Sequence, residues 1–164
     1  MELRTTPATV KGPDTTFTGD VWLDRISGGN DESRLVAATV RFTPGARTHW
    51  HSHPLGQTLY CTDGVGFLGT RDGRILVLRP GQTVWTPPGE EHWHGATRDN
   101  LMSHLALVVG TPDGESAIWM EAVTDEQYAA AAAPSGRPSR DESAPASTSS
   151  WPTCWRTTRR PRPP

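Results

Sequence analysis

The sequence predicts an all-β domain, a sandwich or small barrel built from short strands. Gly and Pro make up 31 of its 164 residues, against an ordinary combined share of ~12%. Short runs rich in β-formers recur at regular spacing, each bounded by a turn signal. Between two of these runs stands Asp72-Gly73, a pair whose backbone preferences suit a tight hairpin turn.

Taken in order, strands are expected over 33–42, 57–62, 64–71, 74–79, 82–86 and 101–109. The breaks between them are Pro44-Gly45, Asp63-Gly64, Asp72-Gly73, Pro80-Gly81 and Pro87-Pro88-Gly89. One helix is expected near residue 125. The Thr124 hydroxyl caps it, Gln127 three residues later completes a capping box, and an alanine run follows.

Composition divides the chain at residue 128. Residues 129–164 hold seven of the fifteen Pro and no Leu, Ile, Val, Phe, Tyr or Met. Such a segment has too little apolar surface to offset its ordering entropy, so a disordered tail is expected there. It carries a net charge of +4, while residues 1–128 carry −6 and all six His. The Arg run of the tail is short and without helical periodicity. It reads as solvated rather than as a nucleic-acid site. Two Cys without a CxxC pair exclude a thiolate metal site. With no apolar run at the N-terminus and no stretch long enough to span a bilayer, a cytoplasmic protein is expected.

The chemistry concentrates in two stretches, residues 45–64 and 81–94. Side chains two apart on a strand share a face, so His51 points with His53 and His92 with His94. If that face lines a barrel, imidazoles from different strands converge, which is the environment a divalent transition metal takes. A lone buried His is usually a satisfied core residue. Two His-x-His pairs beside Gly turns are a much more specific signal.

Gly45, His51, His53, Gln57 and Gly64 are separated by five, one, three and six residues, which resembles the first cupin motif. Gly81, Pro87, Gly89 and His92, separated by five, one and two, resemble the second. Cupins commonly carry Glu at the place of Gln57 and Asn at the place of Ala96. The resemblance implies a double-stranded β-helix with metal held by His51, His53, Gln57 and His92. Further stretches resemble the bacterial cupin hydroxynitrile lyases: residues 44–48, 50–59, 89–96, 102–106, 119–121 and 123–128. That group uses a manganese-type ion and makes or cleaves cyanohydrins such as (R)-mandelonitrile. Matching its pattern, His104 is the expected general base. His94 shares a face with His92 and is the second expected catalytic residue, an outer partner of the metal or a fifth ligand. Ala38 and Val40 match its pocket-lining positions. Phe42 and Val108 share inward faces with these residues, Phe42 as pocket wall or core.

Three His and a Gln offset none of a divalent ion's charge, leaving a stronger Lewis acid and a better partner for an anion than a carboxylate site. The donor set leaves manganese, iron, zinc, cobalt and nickel open, and manganese is the ion that the resemblance implies. The pocket's apolar character suits a small aldehyde or cyanohydrin substrate. A metal-dependent dioxygenase and a non-enzymatic small-molecule binder are the alternatives. Trp50 and Trp93 alternate with the histidines and so face away from the metal. That places them between sheets or in a homodimer or homotetramer interface. His49 is expected at the rim, and Cys61 is expected to pack in the barrel floor.

Overall fold

The turn signals cut the chain into strands close to where they were expected. In chain order these are β1 (Val10–Lys11), β2 (Phe17–Thr18), β3 (Val21–Gly28), β4 (Leu35–Phe42), β5 (Arg47–Thr48), β6 (His51–Ser52), β7 (Gln57–Gly64), β8 (Gly66–Thr70), β9 (Ile75–Leu78), β10 (Thr83–Thr86), β11 (His92–Ala96), β12 (Met102–Val109) and β13 (Ile118–Trp119), followed by α1 (Asp125–Ala132). This computed structural model describes residues 1, 3–30 and 32–132. Residues 133–164, most of the expected tail, lie outside the described residues. All six expected strands form, with ends within two residues of the expected ones. The eight-residue β3 was not expected, because Asp24, Arg25 and Ser27 interrupt its apolar alternation. Asp24 is accommodated on the sheet's outer face, where Arg41 of β4 pairs with it.

A six-stranded antiparallel sheet runs β1-β3-β4-β12-β7-β10. The second sheet runs β13-β6-β11-β5-β2, with β8 also paired to β11 and β9 to β8. Phe17, Leu68, Leu78 and Ala96 from the second sheet pack with Val21, Val40, Phe42, Leu59, Cys61 and Met102 from the first. Cys61 is fully buried there, as expected of a packing residue. Register sets inward rows across β7, β12 and β4. Gln57, Val108 and Val36 form one, then Leu59, Ala106 and Ala38, then Cys61, His104 and Val40. The polar groups of the site are thus delivered by strands whose other inward residues are apolar.

A second apolar cluster lies on the opposite face of β11, where Trp50, Phe67 and Trp93 pack with Val123, Tyr128 and Ala131. Trp50 and Trp93 do face away from the histidines. They are neither between the sheets nor exposed at an interface, because α1 and the segment before it cover them. The reciprocal capping box forms as expected: Gln127 N–H donates to Thr124 Oγ1 at 3.2 Å, and Thr124 N–H to Gln127 Oε1 at 2.9 Å. At eight residues α1 is too short to be stable alone, so its docking decides. Arg47 donates to the Val123 carbonyl and pairs with Asp125, and the Tyr128 hydroxyl donates to the Ala96 carbonyl at 2.8 Å. The helix runs to Ala132, with Ala131 packed into this cluster. No helix among the described residues is long and apolar enough to cross a membrane.

Candidate metal centre

His51 and His92 face each other as a cross-strand pair between β6 and β11, with ring centroids 4.3 Å apart. His53 lies just beyond β6, its ring 5.1 Å from His51 and 5.6 Å from His92. One nitrogen from each of the three lies within 4.8 Å of the others, and all three residues are buried. Three His are therefore positioned to hold one metal ion.

Backbone carbonyls set which nitrogen faces inward. His51 Nδ1 lies 2.9 Å from the His49 carbonyl, His53 Nδ1 2.6 Å from that of Ser116 and His92 Nδ1 2.9 Å from that of Glu90. A carbonyl only accepts, so each Nδ1 carries the hydrogen and each Nε2 keeps a lone pair. His53 Nε2 is buried without a hydrogen-bond partner. His92 Nε2 lies 3.1 Å from Gln57 Oε1, so in this tautomer two acceptors confront each other. A cation between them, or an amide turned to present its NH2, resolves the conflict. A buried set of imidazole lone pairs with an amide oxygen alongside fits a divalent transition ion.

Burial reinforces neutrality. It holds His51 well below the usual imidazole range, His92 at about 4 and His53 below its ordinary value, where the Ser116 carbonyl and the Gln57 side chain oppose it. Behind the triad, His104 Nε2 lies 3.2 Å from His94 Nδ1. Burial again lowers both, His104 to about 4. The His94 ring is 5.2 Å from His51 and 4.8 Å from His104, so His94 stands between the triad and His104.

Of the expected pocket residues, Val40 is in register with His104 and Ala38 with Ala106. Phe42 packs against the rings of His94 and His104 at 5.7 and 5.5 Å while also belonging to the core. Val108 is in register with Gln57 on one side and Val36 on the other. Val36 lines two clefts of ≈ 480 and ≈ 500 Å³, the second shared with Leu23 and Ala38; neither is lined by Gln57 or a site histidine. His49 is buried, not at the rim, and contributes its carbonyl to His51. Sequence reasoning missed the place of Trp119, which pairs with His51 across β13 and β6 and stacks on its ring at 4.6 Å. Parity with a cross-strand His gives no signal until the pairing is known.

A profile of the family described as Cupin domain matches residues 38–109. The chain is 48% identical to the (R)-mandelonitrile lyase of Granulicella tundricola over 121 residues, 74% of this chain and 92% of that protein. The chain belongs to the cupin family. A cupin-like protein from Thermotoga maritima, 36% identical, superposes with a TM-score of 0.68 over 80% of this chain and 97% of its own. A cupin 2 conserved barrel domain protein from Rhodopseudomonas palustris shares the fold at 16% identity, with a TM-score of 0.57 over 74% and 81%. In this cupin the buried Ala96, where the motif commonly has Asn, packs into the core.

Neutral buried histidines should make the metal-free cupin acid-labile. In the unfolded chain they titrate near pH 6.5, whereas His92 and His104 stay neutral in the fold down to about 4. Between those values the unfolded state binds protons that the fold refuses, so stability falls as pH falls. Each such His contributes about 1.4 kcal/mol per pH unit. Denaturant titrations of metal-free protein should give a lower midpoint at pH 5 than at pH 7, and His104→Leu should flatten the difference. Equal midpoints at the two pH values would contradict this reading.

Proposed function

We propose that this cupin is a metal-dependent lyase of the hydroxynitrile lyase type, reversibly cleaving cyanohydrins to an aldehyde and cyanide. The observation that carries the reading is a buried, neutral His94–His104 couple beside a three-imidazole site. Similarity to the (R)-mandelonitrile lyase supports the same chemistry. His51, His53, Gln57 and His92 would hold the ion, for which Mn2+ is our assignment. When bound, the ion supplies positive charge that favours cyanide and the carbonyl oxygen over the neutral adduct.

The rest of the chemistry belongs to the chain. Burial keeps the His94–His104 couple uncharged at neutral pH, so it holds a lone pair free for the cyanohydrin hydroxyl proton. One proton is shared between His94 Nδ1 and His104 Nε2, so the couple titrates as a unit. As the O–H proton leaves, the C–CN bond breaks with its electron pair on cyanide and the C=O bond forms. The couple then returns its proton to cyanide. Ala38, Val40, Phe42 and Val108 would surround the substrate's side group, excluding water and favouring an apolar aldehyde.

Loaded with Mn2+, the protein should release benzaldehyde from mandelonitrile, followed by absorbance. His104→Ala should lower kcat/KM about 100- to 10,000-fold with metal content unchanged. Because the couple acts as a unit, adding His94→Ala should cost little more. Undiminished turnover by His104→Ala defeats the assignment, as does oxygen consumption with an enol substrate and no benzaldehyde release.

The working form in this reading is a homodimer or homotetramer. The outer face of the six-stranded sheet leaves Trp22 and Tyr60 at 41% and Trp85 at 57% exposure, apolar surface that a second copy would cover. Light scattering should return two or four chains per particle, and a single chain would contradict it.

A further inference from the structure

We propose that Arg71 is a positioning residue for the metal centre. From the outside of the sheet it fixes the three backbone segments whose side chains meet on the inside. The inference rests on the metal-site reading above and adds a residue to which that reading gives no role.

The segments that carry the site have short ladders of their own. β6 and β13 are two residues each. β11 meets β6 only through the His92 and His51 pair. A single residue pair contributes few ladder hydrogen bonds of its own, so the placement of His51 against His92 draws support from elsewhere. Arg71 follows Thr70, which stands opposite His92 across β8 and β11, so its side chain starts beside one ligand-bearing strand.

From there it reaches all three segments. Arg71 Nε lies 2.7 Å from Glu91 Oε2, on the residue before His92. Its Nη1 lies 2.6 Å from Glu121 Oε1, two residues after Trp119. The guanidinium lies over the Trp50 ring at 4.0 Å, on the residue before His51, and Nη2 approaches Met120 Sδ at 3.8 Å. Backbone bonds close the frame, since Trp50 N–H donates to the Glu121 carbonyl at 3.0 Å and Met120 N–H to the Trp50 carbonyl at 2.9 Å. A planar fork with five donors and a stacking face makes these contacts at once, which the point charge of a lysine does not.

Arg71, Glu91 and Glu121 side chains are 36%, 41% and 62% exposed, so solvent screens the pairs and their share of global stability is small. That separates a positioning role from a merely structural one. Outer partners that orient metal ligands typically change metal affinity about 10- to 100-fold. The test measures cobalt(II) affinity and the cobalt visible spectrum, alongside denaturation midpoints of the metal-free proteins. Arg71→Ala should weaken cobalt binding about tenfold or more and alter the spectrum, with Arg71→Lys in between. Glu121→Gln, which keeps the Trp50 contact, should weaken it less than Arg71→Ala and serves if that variant fails to fold. Arg41→Ala, which breaks the pair with Asp24 on the other sheet, should match wild type in affinity and spectrum. Wild-type affinity and spectrum in Arg71→Ala and Glu121→Gln would overturn the inference, as would an equal loss in Arg41→Ala. A wild-type protein that takes up no cobalt would instead overturn the metal reading itself.

Discussion

Three hydrogen bonds from imidazole Nδ1 to backbone carbonyls govern the rest of the molecule's chemistry. Those of His51, His53 and His92 end on the carbonyls of His49, Ser116 and Glu90. They settle each tautomer and leave each Nε2 without a proton. A His free to choose its tautomer would lose part of its affinity to the wrong one, and a charged His would repel a cation. Backbone acceptors hold their place because ladders and turns fix them, so the donor set is preorganised before any ion arrives.

The fold supplies the other half of the constraint. Desolvation in the interior keeps the five site histidines neutral, and the apolar rows around Leu59, Ala106, Ala38 and Val40 provide it. The same alternation that turns His51, His92 and His94 inward turns Trp50 and Trp93 outward. α1 covers that outer face, anchored by Arg47 and Tyr128. Two cores thus lie on opposite sides of one sheet, the inner around the site and the outer under α1.

Much of this was legible in the sequence because it is local. Turn pairs such as Asp72-Gly73 marked the strands, period-two spacing put His51 with His53 and His92 with His94, and Thr124 with Gln127 marked the helix start. The missing pieces are those that depend on pairing between distant segments. Ser116 lies 63 residues from the His53 ring it orients, and Trp119 reaches His51 only through the pairing of β13 with β6. β3 escaped notice because its polar residues obey its neighbours rather than a pattern of their own. His49 looked like a rim residue because its useful atom is a backbone carbonyl, which side-chain identity does not reveal.

In the proposed site, the imidazole Nε2 atoms of His51, His53 and His92 would hold one ion together with the amide oxygen of Gln57. X-ray absorption of the cobalt- or manganese-loaded protein, with metal content per chain, tests it most directly. The expected spectrum shows one ion per chain with three imidazole scatterers at about 2.0–2.2 Å and a first coordination sphere of nitrogen and oxygen. His53→Ala should reduce the imidazole count by one. A spectrum with one or no imidazole, or a His53→Ala spectrum indistinguishable from wild type, would contradict it.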